Sequence, residues 1–147
     1  MRLGHHLMTW GGWRQSQKQP WSWPEVLREV RAAGYDACES GGSAQEHGPA
    51  GELKRMAADH GVAFVAWSGN VTANFWQPNT DAYRRELDYA AELGVRTIAV
   101  GGGFLPEQRR TTSDGDYRQF ADNLGQAMAY GKRLGLDLAF HPHRGCI

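Results

Sequence analysis

The stretch AELGVRTIAVGG, residues 91–102, contains the pattern on which the fold depends. A helical segment runs up to Gly94, and a short run of β-branched and apolar residues follows at once. A glycine directly after the last helical turn is typical of a left-handed C-cap. The stretch therefore predicts a helix that is followed, without a long loop, by a strand.

The same order of helix, glycine and strand occurs at three other places. They are RAAGYDACES (31–40), ADHGVAFVAWS (58–68) and KRLGLDLAFHPH (132–143), with Gly34, Gly61 and Gly135 as caps. With the opening RLGHHLMTW as a further strand, the chain is predicted to alternate five strands with four helices. The strands VAFVAW, RTIAV and DLAF are almost continuously apolar, as expected of parallel strands covered on both faces.

Each predicted helix has a start signal of its own. Ser22 and Glu25 predict a capping box, Pro24 lies in the first turn, and Trp21 and Val26 are placed to form a hydrophobic staple. The other three helices are expected to begin near Gly48 and Pro49, at Thr80 and near Ser113. Apolar residues at helical spacing are expected to face the core, and in the last helix these are Tyr117, Phe120, Leu124, Ala127 and Met128.

The composition excludes several classes of function. Sixteen basic and sixteen acidic residues give a net charge of zero, which argues against a nucleic-acid partner. Cys38 and Cys146 show no CxxC spacing, so neither a disulfide scaffold nor a structural zinc site is expected. We find no signal peptide and no membrane-spanning run. We expect one cytoplasmic domain over residues 1–147, built as α/β with a parallel sheet that is either doubly wound or a sector of a (β/α)₈ barrel.

In both architectures, ligands bind beyond the carboxyl ends of the strands. Glu39 ends the second strand, where a carboxylate can bind a substrate hydroxyl or a metal ion, or can simply lie in a partly solvated loop. His141 and His143 share a face at the end of the fifth strand, and imidazole suits both metal binding and proton transfer. His5 and His6 should point to opposite faces, so at most one reaches a central site.

Two other features allow a functional interpretation, but packing explains them better. Four tryptophans, Trp10, Trp13, Trp67 and Trp76, could line a sugar pocket, although aromatic side chains near strand ends more often belong to the core. Gly101, Gly102 and Gly103 match neither a dinucleotide-binding nor a Walker loop, so a tight turn or a close backbone approach is favoured.

The segments TWGGW, GYDACES, RTIAVGGG and above all LAFHPHRG resemble the xylose isomerase-like (β/α)₈ barrel superfamily, and in particular its sugar phosphate isomerase/epimerase and inosose dehydratase branch. The resemblance implies a partial TIM barrel that corresponds to the N-terminal part of such an enzyme. It also implies a divalent metal ion (Mn, Co or Mg) that holds oxygens of a sugar or polyol while acid and base groups move a proton.

The resemblance assigns tentative roles to several residues. His141 and His143 correspond to catalytic histidines, His141 is a candidate metal ligand, and Glu39, Trp10 and Trp67 are candidates for substrate contact. The metal-binding Asp, His and Glu that the family carries on later strands have no counterparts in this sequence. We therefore expect an incomplete isomerase, epimerase or dehydratase that is inactive alone, and whose open barrel edges a homo-oligomer could cover.

Two other interpretations remain open. The chain could be a complete five-stranded α/β module that binds a small ligand without catalysis, although TWGGW offers no phosphate loop after the first strand. The DNA-repair endonucleases of the same barrel superfamily use three zinc ions and many ligands, and the neutral charge of this chain argues against that alternative.

Overall fold

A computed structural model describes residues 4–69, 80–101 and 113–141 of the chain. Five parallel strands form one sheet, and they are β1 (Gly4–His6), β2 (Ala37–Gly42), β3 (Ala63–Gly69), β4 (Thr97–Gly101) and β5 (Asp137–His141). The helices are α1 (Met8–Ser16), α2 (Trp23–Ala32), α3 (Ala50–Asp59), α4 (Thr80–Leu93) and α5 (Asp114–Arg133), with a 3₁₀ turn at Ala44–Glu46. None of the helices in these ranges is long and apolar enough to cross a bilayer.

The order of the strands distinguishes between the two architectures that the sequence left open. Each strand pairs with the next one along the chain, from β1 to β5. A doubly wound sheet would require the order to reverse at a switch point, whereas a (β/α)₈ barrel adds its strands in sequence. The predicted α/β fold with a partial TIM barrel is therefore confirmed.

The four predicted glycine caps are also confirmed. Gly34, Gly61, Gly94 and Gly135 have φ angles of 92°, 68°, 89° and 78°, in the left-handed region that glycine adopts without a steric penalty. Each cap reverses the chain directly from a helix into the following strand. The short connections keep the helices close against the sheet.

The two faces of the sheet have different roles. Cys38, Trp67, Ile98 and Val100 are at most 1% exposed and pack towards the helices. Burial of side chains of this size contributes about 1.5–3 kcal/mol each, so this layer supplies much of the stability. On the opposite face, one row of paired positions runs across all five strands, and it consists of His6, Glu39, Ala66, Thr97 and Asp137.

A bulge in β3 allows this division between the faces. Cys38 pairs with Phe64 and Glu39 pairs with Ala66, so Val65 is an extra residue. Phe64 and Trp67 are three positions apart, yet both are buried. Without the bulge, a spacing of three would send their side chains to opposite faces.

Three expectations about the elements need correction. The strand expected over RLGHHLMTW ends at His6, and the helix α1 begins at Met8, so the described residues contain five helices where four were predicted. Ser22 is the N-cap residue of α2, but its side chain makes no capping hydrogen bond, so the predicted capping box does not form. The Glu25 carboxylate accepts a hydrogen bond from Arg14. Tyr117 and Met128 are 44% and 47% exposed, so the apolar stripe of α5 is only partly buried.

Candidate functional site

A cavity of about 1010 Å³ lies at the carboxyl ends of the strands, where both architectures were expected to bind a ligand. Its walls combine glycine-rich backbone from the end of β2 with side chains that can donate or accept hydrogen bonds. The residues with polar or charged side chains that line it are His6, Glu39, Ser40, Glu46, His47, Ser68 and His141. The cavity therefore brings together two of the predicted site residues, Glu39 and His141.

The Glu39 carboxylate is held in place by a neighbouring strand. The Ser68 hydroxyl donates a hydrogen bond of 2.7 Å to Oε1 of Glu39. The Glu39 side chain is 31% exposed, so the carboxylate lies at the cavity surface without being fully solvated. A carboxylate has about four acceptor positions, so this one bond leaves capacity for a hydroxyl group of a ligand.

His6 is the side chain next to Glu39 in the row of paired positions. Its Nδ1 accepts a hydrogen bond of 3.0 Å from the backbone N–H of Met8, and its Nε2 lies 3.6 Å from Oε1 of Glu39. His5 points to the other face, where its ring packs against Trp10 and Tyr35. The expectation that only one of the two histidines reaches the cavity is confirmed.

A second group of cavity residues comes from the loop after β2. The backbone N–H of Ala44 donates to both carboxylate oxygens of Glu86, at 3.2 and 3.1 Å, and the Ser43 hydroxyl donates to Oε1 at 3.4 Å. Glu86 is only 9% exposed and belongs to α4. It thus fixes the 3₁₀ turn that brings Glu46 and His47 to the cavity.

The end of β2 must be glycine because other groups approach it closely. A Cβ on Gly41 would collide with the carbonyl oxygen of Ser68. Gly42 has a φ of 117°, and a Cβ there would lie 2.7 Å from Nε2 of His47. That nitrogen donates a hydrogen bond of 3.1 Å to the Gly41 carbonyl, which ties the loop back onto the strand.

The structure separates the tryptophans that were considered for the pocket. Trp67 is completely buried and packs edge-on against His47, at 5.2 Å between ring centroids, so it supports the cavity wall from behind. Trp10 and Trp13 line a separate crevice of about 590 Å³ on the helix side of β1. Trp21, which was considered only as part of a staple, does line the main cavity. Trp76 lies outside the described residues.

His141 lines the cavity at the end of β5, and His143 lies outside the described residues. Within residues 4–69, 80–101 and 113–141, no three His, Cys, Asp or Glu side chains are grouped so that they could hold a metal ion. A divalent ion needs more ligands than Glu39 and His141 provide. These residues therefore do not fit the expected metal ion by themselves.

The position of α1 depends on a buried arginine. Arg14 is 3% exposed, and its guanidinium donates to Glu25 and Glu29 of α2, at 2.9 Å each, and to the Pro20 carbonyl at 3.1 Å. These charge-assisted bonds join α1 to α2. The start of α1 supplies Met8 to the cavity wall and the amide that binds His6, so this ion-pair network helps to shape the site.

Sequence reasoning assigned no site role to His6, Ser68, His47 or Glu86. The alternation of His5 and His6 already required one of them to face inward, but nothing in the sequence identified which one. Ser68 directly follows an apolar run of the sequence, as Glu39 does, and that position was the available signal. The contact of Glu86 spans more than forty residues of sequence and leaves no local pattern.

Comparison with known proteins gives one match at the level of protein families. Residues 27–147 match the model of the xylose isomerase-like TIM barrel. A comparison with curated protein sequences gives no match.

Several solved structures share the fold. A sugar phosphate isomerase/epimerase from Parabacteroides distasonis is 18% identical, with a TM-score of 0.70 over 97% of this chain and 51% of that one. An L-ribulose 3-epimerase is 19% identical, with a TM-score of 0.71 over 95% and 48%. A D-psicose 3-epimerase from Clostridium cellulolyticum, solved with D-tagatose, is 16% identical, with a TM-score of 0.68 over 94% and 51%. The present chain thus spans about half the length of these structures, and at such identities the likeness shows the fold alone.

Proposed function

The chain belongs to the xylose isomerase-like TIM barrel family, and we propose that it contributes the sugar-binding side of an isomerase, epimerase or dehydratase site. The observation that carries this proposal is the Glu39 carboxylate, which the Ser68 hydroxyl holds at 2.7 Å in the cavity at the strand ends. The structural neighbours named as sugar epimerases agree with a sugar or polyol as the small-molecule partner.

The chemistry of the cavity suits a polyhydroxylated ligand. Glu39 accepts a hydrogen bond from a sugar hydroxyl, and Trp21 offers an aromatic surface to the apolar face of the ring. His141 also lines the cavity, and an imidazole is a side chain suited to proton transfer. His143 remains a proposed partner of His141 in this role.

The divalent metal ion that the family resemblance implies stays a separate proposal. Mn, Co or Mg would supply charge to polarise a carbonyl oxygen of the sugar. Because Glu39 and His141 do not form a sufficient ligand set, we assign no step of the reaction to a metal ion. Any ion bound beside His141 needs ligands in addition to the described residues.

We further propose that this chain alone is inactive, that it works in the cytoplasm, and that it associates with copies of itself.

The alternative to a sugar isomerase, epimerase or dehydratase is a five-stranded module that binds a small ligand without catalysis. The two functions predict different outcomes when the chain is incubated with a ketose, since only the first one exchanges a carbon-bound proton with solvent under conditions that complete the barrel. Binding alone, with no exchange under those conditions, favours the ligand-binding module.

The sugar-binding proposal is tested by calorimetric titration of the chain with D-fructose as the probe. Glu39→Gln removes the charge but keeps the size, and we expect about tenfold weaker binding, because a hydrogen bond to a charged group contributes about 1.5–3 kcal/mol. Glu52→Gln is the matched control, since Glu52 is an exposed carboxylate in the first turn of α3. Equal affinities for the original chain and Glu39→Gln would contradict the proposal.

A further inference from the structure

His6 has a hydrogen-bonding state that its backbone contact fixes. The N–H of Met8 can only donate, so the Nδ1 that lies 3.0 Å from it must accept and carries no proton. A neutral imidazole with a bare Nδ1 carries its proton on Nε2. His6 therefore presents an N–H group to the cavity from Nε2.

The same bond makes His6 a poor metal ligand. A metal ion on Nε2 would take the place of that proton, and the remaining proton would then have to lie on Nδ1. A proton on Nδ1 would face the N–H of Met8, and two donors would oppose each other. The backbone at the start of α1 thus selects a donor role for His6.

The donor does not form a direct hydrogen bond with its charged neighbour. Nε2 of His6 and Oε1 of Glu39 are 3.6 Å apart, which is longer than a hydrogen bond, and the Ser68 hydroxyl already donates to the same oxygen. The two side chains are 37% and 31% exposed and both line the cavity. A small polar group of a ligand can therefore contact both of them at once.

We propose that His6 and Glu39 form a subsite for one hydroxyl group of the sugar, an inference that rests on the function proposed above. A hydroxyl accepts from Nε2–H of His6 and donates to the Glu39 carboxylate. A carbonyl oxygen can satisfy only the histidine, and an ammonium group only the glutamate. The subsite thus selects a hydroxyl over both, and His6 serves as a positioning and binding residue.

The first test is the tautomer of His6 in the chain without ligand, measured by long-range ¹H–¹⁵N correlation NMR of the ring. We expect the shift of an unprotonated nitrogen at Nδ1 and that of a protonated nitrogen at Nε2. A ring protonated at Nδ1 would overturn the inference, whether or not the chain binds sugar. This readout is independent of the proposed function.

The second test is the affinity of His6 variants for D-fructose. The side-chain amide of His6→Gln can place a donor near the position of Nε2, so we expect it to retain most of the binding, whereas His6→Phe should bind about tenfold more weakly. His5→Phe is the matched control, because His5 faces the other side of β1. Thermal melts of each variant identify any loss of folding.

The outcomes separate the two proposals. Equal weakening in His6→Gln and His6→Phe would overturn the donor role while leaving the sugar-binding function in place. No binding of D-fructose by the original chain, with the predicted tautomer present, would contradict the sugar-binding function and with it the hydroxyl subsite.

Discussion

At the residue scale, the core between the sheet and the helices holds two weakly acidic side chains, Cys38 of β2 and Tyr89 of α4, whose pKa values are raised. Burial raises the pKa of the Cys38 thiol to about 12. Burial, with the nearby Glu86 and Glu92 carboxylates, raises the pKa of the Tyr89 phenol to about 12. Both groups stay protonated in the folded chain well above the pH at which they ionise when exposed.

These shifts predict alkaline destabilisation with a definite sign. The ordinary pKa values are 9.0 for the thiol and 10.0 for the phenol, so in this range the unfolded chain releases protons that the folded chain retains. The free energy of unfolding should therefore fall as the pH rises from about 9 towards about 12. Urea unfolding at several pH values in this range measures the slope.

Two variants identify the source of the slope. Cys38→Ala and Tyr89→Phe should each make the decline shallower. Tyr117→Phe is the control, because Tyr117 is 44% exposed and lies outside the core. A slope unchanged by Cys38→Ala and Tyr89→Phe would contradict this explanation.

At the element scale, local sequence signals predicted most of the architecture. The glycine caps and the apolar strands depend on contacts within a few residues, so four of the connections from a helix to the following strand could be located correctly. The capping box that the structure contains, between Ser113 and Asp116, also lies within one helical turn. Such features need no knowledge of the tertiary fold.

The elements that were mispredicted depend on distant partners. α1 contains Gly11 and Gly12 and has a weak apolar pattern, and its buried Arg14 joins it to two glutamates on α2. One of these glutamates is Glu25, which the sequence had placed in a capping box with Ser22. Ion pairs between side chains of two different helices leave no periodic pattern in the sequence of either helix.

The candidate site was predictable only in part for the same reason. Glu39 and His141 end recognisable strands, so the rule that parallel sheets bind ligands at their carboxyl ends identified both. Trp67 also ends a strand predicted from the sequence, but the bulge at Val65 directs its side chain into the core. A bulge of this kind is set by pairing with the neighbouring strand, which the sequence of one strand does not reveal.

At the scale of the whole molecule, the sheet of the described residues has edges at β1 and β5. Four of the five residues of β5 are exposed, including Phe140 at 45%. Val65, on β3, is 40% exposed. Apolar strands at an open edge favour association with other strands, and exposed apolar surface adds to that tendency.

We therefore expect the chain to associate at micromolar concentrations. Sedimentation velocity should show dimers or larger species whose proportion rises with concentration. Phe140→Lys places a charge on the edge strand and should shift the distribution towards the monomer. Met128→Lys, on the exposed part of α5, is the control. A monodisperse monomer that melts cooperatively would contradict this expectation.

A map of backbone ¹H–¹⁵N shift changes during titration with D-fructose shows whether the sugar binds in the cavity at the strand ends. If the cavity at the strand ends binds the sugar, the changes will centre on Gly41, Ser68 and Gly101, and will also include Met8 at the start of α1. Changes confined to the crevice beside Trp10 and Trp13, or no changes up to the solubility limit of the sugar, would contradict the account.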